Sequence, residues 1–167
     1  MADFEKFAPL LLESEGGFVD DPDDRGGATN RGITLKTYEG WCRKHGYPRP
    51  TVARLKEMDL ETWKRITKEL FWDKVGGDDI RDQRVAGIIA DWAFNSGTGI
   101  ITRVQALVGV KADGIAGRET IRAINAEDPR LLFKDIRQLR TNYYHALSRR
   151  GNNRKFLKGW LARLDRL

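Results

Sequence analysis

The sequence predicts a mainly helical α+β domain that carries a small β-hairpin or loop insertion after its first helix. Apolar residues recur at helical spacing over most of the 167-residue chain. The helical period disappears between residues 18 and 34, where Asp-Pro, Gly-Gly and Arg-Gly pairs mark turns. With 40% hydrophobic residues, a chain of this length can bury one proper core.

The helical segments follow from apolar stripes that end at capping or turn residues. Asp3 is a candidate N-cap for a first helix, which ends near Gly16 and Gly17. Pro9 is expected to kink that helix or to delay its start. Further helices are predicted over residues 35–46, 59–72, 84–97, 100–108, 117–126, 130–149 and 154–166.

Two of these segments have a well-defined inner face. In the segment 59–72 the predicted inward residues are Trp63, Ile66, Leu70 and Phe71. In the segment 84–97 they are Val85, Ile88, Ile89, Trp92 and Ala93. The second segment is so apolar that we interpret it as the central helix of the fold.

The cysteine and histidine content limits the chemistry. Cys42 is the only cysteine, which excludes an internal disulfide and a thiolate zinc cluster. We expect it to be a small buried apolar residue. With two histidines in the chain, a metal site would need oxygen ligands, and we predict neither a metal nor a cofactor.

The N-terminus has acidic residues where a secretory signal would have lysines. No run approaches the roughly 20 apolar residues of a spanning helix. We therefore expect synthesis in the cytoplasm without a cleavable signal. If the protein acts outside the cytoplasm, another factor must release or export it.

Positive charge is concentrated at the C-terminal end. The net charge is +6, but residues 129–167 hold 11 basic and 2 acidic side chains, whereas residues 1–128 hold 19 basic and 22 acidic ones. Such a segment is attracted to anionic partners, which include nucleic acid, anionic lipid and anionic cell-wall polymer. A solvated basic face without a partner is the remaining interpretation.

The stretch "ESEGGFVDDPDDRGGATNRGIT", residues 13–34, concentrates six carboxylates and five glycines. Glu15 follows an apolar helix, where the negative end of the helix dipole and nearby apolar surface favour a protonated carboxylic acid. A protonated glutamic acid can protonate a leaving oxygen. The alternative is a solvated helix-end residue.

The acids that follow Glu15 are Asp20, Asp21, Asp23 and Asp24. Turn signals fold this run back toward the helix end, so that a second carboxyl comes within reach of Glu15. Inverting glycosidases hold two carboxyls roughly 6.5–9.5 Å apart and retaining ones about 5 Å, and the sequence does not choose between them. Most of these aspartates are expected to form the turn, and the spacing does not fit a calcium loop.

This stretch closely resembles the signature of the N-acetylmuramidases of the glycoside hydrolase 108 family, roughly E-G-G-(aromatic)-x-x-D-P-x-D-x-G-G-A-T-N-x-G-I-T. "WAFNSG" at residues 92–97 resembles the end of that family's central helix. "VQALVGVKADGIAGRETIRAIN" and "FLKGWLARL" resemble its peptidoglycan-binding C-terminal region. The resemblance implies a lysozyme-like fold, with a catalytic region over residues 1–97 and a helical peptidoglycan-binding region over 98–167, packed as one compact unit.

The resemblance also implies site residues. In the family the glutamate of E-G-G is the catalytic acid, which here is Glu15. A looser similarity to phage-type lysozymes, in which an aspartate follows nine positions after the glutamate and a threonine shortly after that, adds Asp24 and Thr29. Asn30 and Asn95 are candidates for hydrogen bonds to sugars, because an amide offers a donor and an acceptor, and both could instead be structural caps or turn residues.

These observations favour a monomeric peptidoglycan hydrolase that cleaves the β-1,4 bond between N-acetylmuramic acid and N-acetylglucosamine. The basic C-terminal helices would hold it near the anionic envelope, and resemblance to phage endolysins implies release through a holin-like pore, although dedicated export also fits. No nucleic acid is expected as a partner. The alternatives are a basic helical protein that binds nucleic acid, a wall-binding module without catalysis, and a lytic transglycosylase.

Overall fold

The computed structural model describes residues 1–20 and 27–167. In these ranges the chain is mostly helical and carries a small antiparallel sheet after the first helix, so the predicted fold class is confirmed. The described residues form two compact units. Unit 1 comprises Met1–Phe7 and Phe71–Leu167, and unit 2 comprises Ala8–Leu70.

The α-helices of the described part agree with the predicted segments to within a few residues at most ends. They are α1 (Phe4–Ser14), α2 (Leu35–Lys44), α3 (Val52–Lys56), α4 (Leu60–Thr67), α5 (Gln83–Ser96), α6 (Ile101–Leu107), α7 (Arg118–Ala126), α8 (Pro129–Ser148) and α9 (Leu157–Leu164). Pro9 lies inside α1 and does not delay its start. The short helix α3 was not predicted.

The sheet has three strands of two residues each. They are β1 (Phe18–Val19), β2 (Thr29–Asn30) and β3 (Ile33–Thr34), in the order β1-β2-β3 and antiparallel throughout. Thr34 then caps α2, since its hydroxyl accepts a hydrogen bond from the backbone N–H of Thr37. The predicted hairpin therefore continues directly into the next helix.

The predicted helix 59–72 is interrupted. Asp59 caps α4 as expected, and its carboxylate accepts a hydrogen bond from the backbone N–H of Thr62 at 2.7 Å. The chain then changes to a π-helical turn over Lys68–Trp72. Because a π turn holds more residues than an α turn, it shifts the buried face. Leu70 and Phe71, predicted inward, are therefore only half-buried, and the fully buried residue of this turn is Trp72.

In unit 1 the core is built on α5, whose predicted inward residues are all buried, as the apolar pattern of 84–97 indicated. Helix α5 packs against α8, and α8 packs against α9. Phe7 stacks on Trp72 with ring centroids 5.1 Å apart, so the start of α1 belongs to the same core. Burial of such aromatic side chains is a main source of the stability of this unit.

In unit 2 the core surrounds Trp63, which is fully buried. Its indole N–H donates a hydrogen bond to the backbone carbonyl of Arg31 at 2.9 Å, which ties α4 to the sheet. Cys42 is fully buried as predicted, and burial raises the pKa of its thiol. A buried thiol of this kind contributes to core packing and is not a nucleophile.

No helix in the described part of the chain has both the length and the apolar character needed to cross a lipid bilayer.

Candidate active site

Glu15 lies immediately after α1, at the point where the chain leaves the helix for the sheet. Its backbone N–H still donates to the carbonyl of Leu12 at 3.1 Å, so the residue is held in the last helical turn. Glu15 is half-buried, whereas Glu13, two residues earlier, is exposed. The two glutamates of this stretch therefore differ in environment, and Glu15 is the one that the fold holds against the protein.

Gly16 and Gly17 separate Glu15 from β1. A Cβ atom built on either glycine would meet no atom of residues 1–20 and 27–167 within 4 Å, and neither glycine has a positive φ angle. Within this part of the chain, the fold requires glycine at these positions neither for backbone conformation nor for close packing. Their effect is to leave open space beside Glu15, which a ligand could occupy.

The strand pairing brings the predicted Thr29 back toward the end of α1. Thr29 pairs with Val19 across β1 and β2. Val19 lies four positions after Glu15, which is at most roughly 14 Å of chain. The Thr29 hydroxyl is half-buried and donates to the carbonyl of Gly27 at 3.4 Å, so this side chain lies on the same small sheet that follows Glu15.

A tight turn fixes the hairpin between β2 and β3. Arg31 and Gly32 have φ angles of 47° and 77°. Positive φ at both central residues is typical of a type I′ turn, whose twist matches that of an antiparallel pair. This turn sets the position of Thr29 and Asn30 on β2.

Asn30 anchors the hairpin. Its side chain is only 4% exposed, and its amide nitrogen donates to the carbonyls of Leu55 at 2.9 Å and Lys56 at 3.2 Å, at the end of α3. These bonds tie the hairpin to the C-terminal end of α3. The amide hydrogens of Asn30 are thus used within the protein, and its predicted contact with a sugar stays a prediction that would have to use Oδ1.

The other two predicted site residues lie elsewhere. Asp24 falls outside the described residues. Asn95 is exposed near the end of α5 in unit 1, and its amide nitrogen donates to the backbone carbonyl of Asp91 at 2.7 Å. Glu15, Thr29 and Asn30 all belong to unit 2 and Asn95 to unit 1, and the roles of all five predicted site residues stay predictions.

A second carboxylate of unit 2, Glu69, was missed by the sequence reasoning. It accepts hydrogen bonds from the indole N–H of Trp41 at 2.8 Å and from Lys44, and it contacts His45 Nε2 at 2.7 Å. The bond from Lys44, together with those from Trp41 and His45, lowers the pKa of Glu69 to about 2, against the opposing effect of desolvation. No local motif joins residues that lie 24 to 28 positions apart, so only the structure reveals this cluster.

The low pKa of Glu69 decides what it can do. A carboxylate that stays ionised down to about pH 2 cannot donate a proton near neutral pH. Glu69 is therefore suited to holding α2 against the chain that follows α4, and it does not compete with Glu15 as a general acid. Across the described ranges, no group of three or more His, Cys, Asp or Glu side chains could hold a metal ion.

Two protein-family models match the chain over consecutive segments. The family model described as "Glycosyl hydrolase 108" matches residues 8–97, which is more than half of the chain and includes Glu15, the sheet and α5. This chain belongs to the glycosyl hydrolase 108 family. A second model, described as "Predicted Peptidoglycan domain", matches residues 100–165.

A solved structure extends the likeness over the whole chain. The structure titled "Structure of Brucella abortus SagA" is 34% identical, covers 98% of this chain and 90% of its own, and superposes with a TM-score of 0.83. No curated protein matches the sequence significantly. The family assignment makes the chain a glycosidase that acts on peptidoglycan. Neither result tests the predicted division at residues 97 and 98.

Proposed function

We propose that this family member cleaves the β-1,4 bond between N-acetylmuramic acid and N-acetylglucosamine, with Glu15 as the general acid. The observation that carries the proposal is the placement of Glu15. It is half-buried at the end of α1, next to two glycines with open space beside them, and it leads directly into the small sheet. A bulky glycan could approach the backbone closely there.

In the proposed mechanism Glu15 gives its proton to the glycosidic oxygen as positive charge develops at the anomeric carbon. The bond between that carbon and the oxygen breaks, and the leaving sugar departs as an alcohol. Water supplies the new hydroxyl group. Asp24 would stabilise the positive charge or orient the water, and Thr29 would help to hold the water.

The setting of this activity is part of the proposal. The protein would be synthesised in the cytoplasm and reach the cell wall after release through a holin-like pore or by dedicated export. It would act as a monomer. Its basic C-terminal helices would keep it near the anionic envelope, and of the basic residues in 129–167 eight are exposed: Arg130, Lys134, Arg149, Arg150, Arg154, Lys155, Lys158 and Arg166.

The test compares the native protein with Glu15→Gln on isolated peptidoglycan, with Glu13→Gln as the matched control. Glu13 is an exposed glutamate two residues away in the last turn of α1, so its replacement removes the same charge from the same region of the chain. We expect new reducing ends from the native protein and from Glu13→Gln. We expect at least a hundredfold lower rate from Glu15→Gln, in line with the roughly 10²–10⁴-fold contribution of a positioned acid.

The reaction products distinguish the alternatives. Reducing ends on muramic acid support the proposed bond, and reducing ends on glucosamine would move the cleavage to the other glycosidic bond. Anhydro-muramic ends would indicate a lytic transglycosylase. Equal activity of Glu15→Gln would refute the role of Glu15, and binding to peptidoglycan without cleavage would indicate a wall-binding module. Binding of duplex DNA at physiological salt without any effect on walls would favour a nucleic-acid-binding protein.

A further inference from the structure

Unit 1 contains a groove that the proposed catalytic step does not use. It has a volume of about 730 Å³, and its lining includes Asp79, Arg81, Arg118, Ile121, Arg122 and Asn125. One wall is the turn over residues 77–81 that precedes α5, and the other is α7. The groove thus joins the segment matched by the hydrolase family model to the segment matched by the peptidoglycan model.

The two walls are fixed to each other. The side chain of Asn125 donates from Nδ2 to the carbonyl of Asp79 at 2.9 Å, and its Oδ1 accepts from the backbone N–H of Arg81 at 2.8 Å. At Gly76 an added Cβ would lie 2.6 Å from Cδ1 of Ile121, so the turn packs directly on α7. These contacts hold the two walls of the groove in fixed positions.

The charges in this groove are available to a ligand. Arg81, Arg118 and Arg122 are exposed, and within the described ranges no acidic side chain forms an ion pair with them. Guanidinium groups bind carboxylates through two parallel hydrogen bonds. Asp79, also exposed, adds one carboxylate that can accept hydrogen bonds from an ammonium group.

A smaller cavity shares Arg81 and Asn125 with the groove. Its volume is about 220 Å³, and its lining combines the apolar Ile80, Val85 and Ile124 with the acidic Asp82 and Glu127. A ligand that occupies both would need carboxylates, an amino group and small apolar side chains. A bare sugar lacks this combination, whereas a short peptide rich in alanine and carrying acidic and diamino residues has it.

We infer that this groove binds the peptide stems of peptidoglycan, with Arg118 and Arg122 holding stem carboxylates and Asp79 facing a free amino group. The inference rests on the proposed function, because it takes peptidoglycan as the substrate. It adds a peptide-reading site in unit 1 to the glycan-cleaving residues predicted around Glu15. The full chain would then prefer strands that still carry their peptides.

The carboxylate could come from two sources, and the test separates them. One probe is the soluble disaccharide of N-acetylglucosamine and N-acetylmuramic acid with its tetrapeptide stem, and the other is the same disaccharide with a free lactyl carboxyl group and no peptide. In both probes N-acetylglucosamine is linked through its anomeric carbon to N-acetylmuramic acid. The bond that the proposed reaction cleaves starts at the anomeric carbon of N-acetylmuramic acid and is absent from both. Binding of both to the full-length protein is measured by calorimetry at physiological salt.

The variant is Arg118→Gln with Arg122→Gln, and the control is Lys36→Gln with Arg43→Gln, which removes two positive charges from exposed positions of α2. We expect the double variant to bind the peptide-bearing disaccharide at least tenfold more weakly, and the control to bind it like the native protein. All four arginine and lysine side chains are exposed, so the circular dichroism spectra and melting temperatures should match.

Two results would overturn the inference: unchanged affinity in the double variant, or equally tight binding of the disaccharide without peptide. Cleavage is measured separately, as reducing ends released from peptide-free glycan strands. If the native protein cleaves that glycan but the arginines do not affect binding, only the groove assignment fails. If it cleaves no glycan but binds the peptide-bearing probe through the arginines, the proposed function fails and the groove assignment stands.

Discussion

Arg140 and Asp91 form a buried ion pair in which Nη2 of Arg140 donates to Oδ2 of Asp91 at 2.5 Å. Arg163 donates to the other oxygen, Oδ1, at 2.7 Å. Asp91 is 1% exposed and Arg140 is fully buried. The carboxylate comes from α5, in the segment matched by the hydrolase model, and the cations come from α8 and α9, in the segment matched by the peptidoglycan model.

Replacing Asp91 by Asn should destabilise the protein strongly. The variant keeps the volume but removes the only acidic partner that the structure, over its described ranges, gives Arg140. An uncompensated buried charge costs about 3–5 kcal/mol. We expect a loss of that order in the free energy of unfolding, measured by urea denaturation.

The matched control is Asp165→Asn. Asp165 is exposed and pairs with Arg137, also at the α8–α9 contact. A surface pair contributes roughly 0–1 kcal/mol, so this variant should unfold close to the native protein. A similar small effect for Asp91→Asn would mean that the buried pair does not couple the helices.

A truncated chain of residues 1–99 tests whether the segment matched by the hydrolase family folds alone. Removal of α8 and α9 deletes both arginines that form ion pairs with Asp91. It also exposes the apolar face of α5 that packs on α8. We expect the fragment to be insoluble or to lack cooperative unfolding in thermal circular dichroism. A sharp unfolding transition in the fragment would show that the two matched segments are independent domains.

The fold was largely predictable because its signals are local. Helix α5 could be identified from its apolar period, and it ends at Gly97, which has a φ angle of 82°. The π-helical turn at Lys68–Trp72 was not predictable, because the apolar spacing of residues 59–72 continues through it without interruption. Only the structure shows that this turn buries Trp72 fully and leaves Phe71 half-buried.

Candidate site residues could be proposed from the sequence where a motif is continuous. Glu15 and Thr29 were proposed because one short stretch contains both, and their catalytic roles stay predictions. The ion pair of Asp91 with Arg140 spans 49 positions and the Glu69 contacts span 24 to 28, so neither has a spacing signal. Asn30 was predicted to bind a sugar because an amide has a donor and an acceptor. In the structure its amide nitrogen instead donates to two carbonyls of α3, which the sequence did not indicate.

Gly17→Leu tests whether the open space beside Glu15 is where the glycan lies. The position has neither a positive φ angle nor close neighbours, so leucine should change the free energy of unfolding by less than about 1 kcal/mol. We expect kcat/KM for peptidoglycan to fall at least tenfold. Gly99→Leu, another open glycine without positive φ, is the control and should keep its activity. Full activity of Gly17→Leu would place the glycan elsewhere.

Glu69 should make stability depend on acid pH. Its pKa is lowered to about 2 from an ordinary value of 4.5, chiefly by the hydrogen bond from Lys44. The ionised form is thus favoured in the folded state, and its stabilisation is complete above pH 4.5 and is lost as the pH falls toward 2. The difference in melting temperature between the native protein and Glu69→Gln should therefore shrink between pH 5 and pH 2. A constant difference would contradict the role of its charge.

Binding to the cell wall should depend on salt if the exposed basic residues near the C-terminus attract the protein to it. Arg140 and Arg163 form ion pairs with Asp91, so the attraction to the wall would come from exposed residues such as Arg149 and Arg154. The screening length shortens from about 10 Å at 0.1 M salt to about 3 Å at 1 M. We expect sedimentation with isolated walls to weaken markedly over that range, and the Arg149→Gln, Arg154→Gln variant to show a shallower dependence than the Lys36→Gln, Arg43→Gln control. Salt-independent sedimentation would refute this electrostatic role, since contacts that do not rely on exposed charge would then hold the protein on the wall.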